Sequence, residues 1–136
     1  KMAQVTTVNR NPDYTDIDLD FFANPSTGDI FKKEGDEAIK RSIRNLVFTN
    51  FYDRPFRSYI GCNVRKLLFD NIDSFTPRHI EDSIISVINN FEPRAKLITT
   101  IINDNPDSNA LDIFIYFSVR NVPNPVSVQI NLERVR

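Results

Sequence analysis

The chain has 136 residues, of which 40% are hydrophobic and 26% are charged, a balance typical of one folded domain with a buried core. Its formal net charge of −1 offers no global attraction to nucleic acid, and no run approaches the roughly 20 apolar residues of a membrane-spanning helix. We therefore expect neither nucleic acid nor a membrane as partner. The one cysteine, Cys62, excludes an internal disulfide and a multi-cysteine zinc site.

Residues 1–33 are predicted to form an extended N-terminal arm, because they are polar, interrupted by prolines and without a helical period. They lack the apolar block of a secretory signal, so we expect a protein kept in a reducing cytoplasm or in a particle assembled there. Aspartates alternate with apolar residues from Asp16 to Asp20, which suggests a short strand or a calcium loop. Phe21 and Thr27 occupy the places where a calcium loop needs glycine and an acid, so no metal site is predicted.

Residues 34–94 are predicted to be the helical part of the domain. Apolar residues recur at helical spacing over about 36–49, and two acids lie in the first turn. A short helix follows near Val64. The longest helix is predicted to begin with Thr76 as its N-cap, followed by proline, and to end before Pro93.

Residues 95–136 are predicted to form a three-stranded antiparallel sheet, because apolar and polar residues alternate and short turn-like connections separate the segments. In the segment 111–119, the alternation predicts five residues that share one face of the strand: Leu111, Ile113, Ile115, Phe117 and Val119. In the last strand, it predicts four residues facing the helices: Val126, Val128, Ile130 and Leu132. The predicted fold class is α+β, with amphipathic helices packed on this C-terminal sheet and residues 1–136 forming a single domain.

Few residues suggest catalysis. His79 is the one histidine and is predicted to lie exposed in a first helical turn, and no glycine-rich phosphate loop is present. A glycosidase needs two carboxylates, and Glu92 has the most apolar neighbours. Arg94, however, would hold Glu92 ionised, which is wrong for a general acid. No catalytic residue and no cofactor are predicted.

Two features suggest protein recognition, and each has a simpler interpretation. Between Lys40 and Lys66 there are seven basic residues opposed by Asp53 alone, which indicates either solvated helix faces or docking onto an acidic protein neighbour. Glu92, Pro93 and Arg94 form either a solvated helix end or a rigid, exposed corner whose charges contact another protein.

The segment Glu92-Pro93-Arg94, placed after an amphipathic helix and before strands, resembles the signature of the baseplate wedge family of tailed phages. That family includes the baseplate component of type VI secretion systems. Further segments resemble the family in the expected order, and the match covers nearly the whole chain: 16–19, 27–30, 38–46, Arg54-Pro55-Phe56, Gly61-Cys62 and 67–70. One departure is Tyr59-Ile60, where many relatives carry an aromatic residue next to the glycine.

The resemblance implies a structural subunit of the virion, assembled in the host cytoplasm and arranged sixfold around the tail tube, without enzymatic activity. It implies contacts to the helical core bundle of other wedge proteins at Glu92, Pro93 and Arg94, and it extends the predicted partner-binding residues to Arg54, Pro55 and Phe56. The C-terminal sheet would accept strands from the tail sheath and so initiate sheath assembly, through Val128, Gln129, Ile130, Asn131 and Leu132.

Elementary physics supports strand addition independently, because a three-stranded sheet has open edges with unpaired backbone groups. Gln129 and Asn131 are not strong blockers of such an edge. Two other functions remain open at this point. One is a small muramidase-like enzyme that acts through carboxylates, and the other is a stand-alone protein-binding module.

Overall fold

The structure is a computed structural model that describes residues 15–69, 75–105, 107–108, 110–120 and 122–133. The chain divides into two compact units, Lys1–Ala38 and Ile39–Arg136. In chain order the elements are β1 (Thr15–Ile17), β2 (Lys32–Glu34), α1 (Asp36–Phe48), α2 (Val64–Leu67), α3 (Thr76–Phe91), β3 (Ala95–Asn105), β4 (Ala110–Val119) and β5 (Val126–Glu133). The predicted α+β class, with helices on a C-terminal antiparallel sheet, is confirmed.

The first unit contains a hairpin in which β1 and β2 pair antiparallel, from Thr15 with Glu34 to Ile17 with Lys32. Asp18 is its buried polar residue, and its carboxylate lies 3.6 Å from Lys33 Nζ. A hairpin therefore lies within the segment predicted to be an extended arm, and residues 1–14 of that arm lie outside the described residues. The large apolar side chains of the hairpin are exposed: Ile17, Leu19, Phe21, Phe22, Ile30 and Phe31.

The helices follow the predicted spacing closely. In α1 the apolar stripe is buried, and the helix ends one residue before the predicted Thr49. The prediction of Thr76 as N-cap is wrong, because α3 begins at Thr76 itself and Phe75 precedes it without a side-chain cap. The pattern left this open because proline fits any early helical position, where the N–H has no partner within the helix.

The second unit is built on the sheet β3-β4-β5, which is antiparallel throughout and has β4 at its centre. Its pairings are regular, apart from a bulge in β3 between Leu97 and Thr99. α3 packs against β3. The predicted inward faces of the last two strands are confirmed, since these residues are buried: Leu111, Ile113, Ile115, Phe117, Val119, Val126, Val128, Ile130 and Leu132.

Candidate partner-binding sites

Glu92 ends α3 and is almost completely buried, with 2% of its surface exposed. Arg94 donates to both of its carboxylate oxygens, from Nε to Oε1 at 2.6 Å and from Nη2 to Oε2 at 2.9 Å. The hydroxyl of Ser42 on α1 donates a further hydrogen bond to Oε2. One carboxylate thus joins α1 to the junction between α3 and β3 through charge-assisted hydrogen bonds.

The pKa of Glu92 lies below the ordinary value of a glutamate. Burial by itself raises this pKa, because it removes the charged form from water. The hydrogen bonds from Arg94 and Ser42, with the positive charge of Arg94, stabilise the carboxylate and outweigh the burial. The prediction that Arg94 holds Glu92 ionised is therefore confirmed.

The expectation that both charges of this corner are exposed is wrong for Glu92. A turn closed by the N–H of Ala95, which donates to the carbonyl of Glu92 at 3.2 Å, folds Arg94 back over the carboxylate. Pro93 remains exposed, and the Arg94 side chain keeps 26% of its surface accessible. A partner at this corner would therefore contact Pro93 and Arg94, while the buried Glu92 orients the Arg94 guanidinium through its two hydrogen bonds.

The loop of residues 49–63, which joins α1 to α2 and is called the aromatic loop below, contains the other predicted contact residues. Arg54, Pro55 and Phe56 are all exposed, and Phe56 projects so far that its relative exposure is 104%. Further aromatic side chains of the same loop also face solvent: Phe51, Tyr52 and Tyr59. The structure thus places the predicted triplet on an aromatic surface well suited to protein contact.

Hydrogen bonds hold the base of the aromatic loop in place. The N–H of Cys62 donates to the carbonyl of Thr49 at 2.9 Å, and the N–H of Phe51 donates to Asn63 Oδ1 at 3.1 Å. Gly61 approaches the backbone so closely that an added Cβ would lie 2.6 Å from the carbonyl carbon of Asn50. The resemblance had singled out Gly61-Cys62, and this contact gives the physical reason for a glycine there.

The third candidate site is the outer edge of β5, which has no neighbouring strand among the described residues. In an antiparallel ladder, hydrogen-bonded and non-hydrogen-bonded pairs alternate. The pairing of β5 with β4 ends with Phe117 opposite Val126, directly after Pro125. Pro125 has no N–H, so it cannot form a hydrogen-bonded pair with Ser118, the next residue of β4.

Successive residues of a strand point their N–H and C=O groups to opposite sides, so Val128, Ile130 and Leu132 share one direction and Gln129 and Asn131 share the other. One of these two sets therefore faces the open edge. Asn131 Nδ2 donates to Asp112 Oδ1 at 2.9 Å, and such close side chains are typical of a non-hydrogen-bonded pair, whose backbone groups point away from the neighbouring strand.

The remaining reactive side chains do not form a site. Burial raises the pKa of the Cys62 thiol to about 12, against a smaller opposing effect of a backbone hydrogen bond with Val64, so the thiol is a poor nucleophile. His79 is exposed in the first turns of α3. Within the described ranges, no group of three or more acidic, histidine or cysteine side chains could hold a metal ion. None of the helices in those ranges is both long enough and apolar enough to cross a membrane.

Sequence reasoning missed one residue of these sites. Ser42 gave no signal, because its bond to Glu92 joins residues 50 positions apart. The register of β5 against β4 also followed only from the structure.

Comparison with known proteins places these sites in context. The family model described as baseplate wedge protein gp25 matches residues 33–124. Baseplate wedge protein gp25 of Enterobacteria phage T4 is 30% identical over 125 residues, which cover 92% of this chain and 93% of that protein.

Two solved structures share the fold. A putative tail lysozyme from Geobacter sulfurreducens is 24% identical with a TM-score of 0.66, and the match covers 74% of this chain and 92% of that one. A chain in the six-fold symmetrised baseplate of the anti-feeding prophage is 22% identical with a TM-score of 0.63, and the match covers 88% of this chain and 85% of that one.

Proposed function

This chain belongs to the family of baseplate wedge proteins, and we propose that it joins the wedge to the tail sheath and initiates sheath assembly by strand addition to β5. In this proposal Gln129 and Asn131 direct their amides to the open edge of β5, and the observation that supports it is the side-chain hydrogen bond from Asn131 to Asp112. Among the described residues, β5 has no neighbouring strand on that side. Main-chain pairing at such an edge provides affinity with little demand on the sequence of the added strand.

The other edge of the sheet is less suited to this role. β3 carries a bulge between Leu97 and Thr99, and a bulge bends and twists an edge away from further pairing. β5 pairs with β4 without interruption from Val126 to Glu133, so it presents a regular ladder. We therefore assign sheath pairing to β5.

The wedge side of the proposal rests on the corner and the aromatic loop. Pro93 and Arg94 are accessible, and Glu92 fixes the guanidinium through two hydrogen bonds, which lowers the entropy lost when Arg94 binds a partner. Arg54, Pro55 and Phe56 add an exposed contact. In the particle these surfaces would meet other wedge proteins in a sixfold ring around the tail tube, in a virion assembled in the host cytoplasm.

Proline substitution tests the β5 edge. Gln129→Pro removes an N–H that points to the open edge, so we expect a folded subunit and complete baseplates and tubes that lack a sheath in electron micrographs. Gln129→Ala keeps this N–H and should form normal sheaths. Ile130→Pro removes a bond to β4 and should unfold the isolated subunit. Normal sheaths built from folded Gln129→Pro protein would overturn the proposal.

We further propose that the subunit acts without enzymatic activity, although one protein of similar fold is named a tail lysozyme. Glu92 is the best-placed carboxylate, but the Arg94 ion pair keeps its pKa low and the side chain is covered, both contrary to the needs of a general acid. Turnover of purified peptidoglycan that disappears in Glu92→Gln would contradict this assignment.

A further inference from the structure

The aromatic loop holds two large side chains in an unfavourable backbone conformation. Tyr52 and Phe56 have φ values of 71° and 65°, in the left-handed region that bulky residues rarely occupy. Such a conformation costs on the order of 1 kcal/mol per residue. Within this subunit neither side chain is compensated by burial, since their exposed fractions are 83% and 104%.

Each strained residue occupies the same place in a turn. The N–H of Asp53 donates to the carbonyl of Asn50, and the N–H of Arg57 donates to the carbonyl of Arg54, both at 3.3 Å. Tyr52 and Phe56 are thus the third residues of two successive turns. Pro55 precedes Phe56, which matches a turn whose third position favours glycine. The chain places an aromatic residue where glycine would fit with less strain, so contact beyond the subunit is the physical explanation that remains.

The positive charge of the aromatic loop indicates the chemistry of its partner. Phe56 stands between Arg54 and Arg57, both exposed and neither in an ion pair with a described residue. Asp53, the one acid from Lys40 to Lys66, accepts a hydrogen bond from the N–H of Asn50 at 2.8 Å and is engaged inside the loop. A partner surface must therefore supply the negative charge.

We propose that Phe56 inserts into an apolar pocket on another baseplate protein, and that carboxylates at the rim of this pocket pair with Arg54 and Arg57. The inference rests on the proposed function in one respect, namely that the subunit is joined to other wedge proteins. It adds the chemistry of that partner: an apolar pocket with an acidic rim. A protein fits better than a nucleic acid, because the chain carries a net charge of −1 and so offers no global attraction to a polyanion.

Because Phe56 adopts an unfavourable φ, its effect on assembly can be tested separately from its effect on stability. Phe56→Gly removes the projecting ring and relieves the unfavourable φ, so the melting temperature of the isolated subunit should stay the same or rise. Its incorporation into baseplates should nevertheless fall at least about ten-fold, as for the loss of an interface hot spot. Phe69→Gly is the matched control, since it also removes an exposed phenylalanine but lies outside the loop, and it should leave incorporation intact.

Charge reversal and cross-linking test the acidic rim. Arg54→Glu with Arg57→Glu should reduce incorporation at least as strongly as Phe56→Gly, whereas Arg78→Glu, an exposed arginine on α3, should not. A photoreactive phenylalanine analogue at position 56 should cross-link, within intact baseplates, to a protein segment that contains Asp or Glu.

The outcomes separate the two proposals. Cross-links to nucleic acid, to neutral or basic protein segments, or to no partner at all would overturn the inference about the loop, as would normal incorporation of Phe56→Gly. None of these results bears on β5, because failure at the β5 edge yields baseplates that contain the subunit but lack a sheath.

Discussion

At the scale of single residues, Glu92 shows how a surface-like pattern can encode an internal contact. Two charges on either side of a proline look like a solvated helix end, yet the turn at Pro93 folds the arginine over the carboxylate. Ser42 completes the network from a different helix. The corner therefore stabilises the fold, and the assembly contact proposed there falls mainly on Pro93 and Arg94.

This network predicts a specific dependence of stability on pH. The pKa of Glu92 is lower in the folded protein than in the unfolded chain, so its contribution is complete above the unfolded value of about 4.3 and is lost as pH falls through the folded pKa. Glu92→Gln should lower the free energy of unfolding by about 1–3 kcal/mol at pH 7. The difference from wild type should shrink as pH falls below about 4.3, the value of an unfolded glutamate, which urea titrations at several pH values would measure. A difference that does not vary with pH would contradict the ionised network.

At the scale of elements, β5 combines two patterns with the same period. Its inward side chains pack in the core, and in the proposed orientation the backbone groups of those residues bond to β4. Its outward side chains then belong to residues whose amides face the open edge. Because both patterns repeat every two residues, burial of the apolar face also fixes which amides an added strand can reach.

Hydrogen exchange would test this arrangement in the isolated subunit. In the proposed orientation the amides of Val128 and Ile130 bond to β4 and should exchange slowly, whereas those of Gln129 and Asn131 should exchange fast. The difference should exceed about a hundred-fold in rate if the ladder opens with a cost of a few kcal/mol. Equal protection at neighbouring positions, measured residue by residue by NMR, would show that the proposed orientation is wrong.

At the scale of the whole molecule, the described apolar core lies within the second unit apart from Ala38, the last residue of the first unit. Among the described residues, the buried apolar side chains run from Ala38 to Leu132, and the large apolar residues of the hairpin in the first unit are exposed. A two-stranded hairpin is at best marginally stable by itself in water. The second unit therefore has the content of an independent fold, whereas the described hairpin buries no large apolar side chain of its own.

A truncated chain tests this division. A variant that begins at Glu34 keeps α1 and everything after it, so it should unfold cooperatively with a denaturant slope close to that of the full chain. We expect its free energy of unfolding to fall by less than about 2 kcal/mol, because none of the buried apolar side chains is removed. Loss of cooperative unfolding, followed by circular dichroism in urea, would show that the first unit is part of the core.

The sequence by itself determined the class of fold, the helices and the faces of β4 and β5, because side-chain periodicity is set by local backbone geometry. It also determined the family, since the family's segments occur in order along the chain. Only the tertiary structure decided that Glu92 is buried, since its partner Ser42 is distant in sequence. It also revealed the positive φ of Phe56 and the register of β5 against β4, because turn geometry and strand register depend on which segments meet in space.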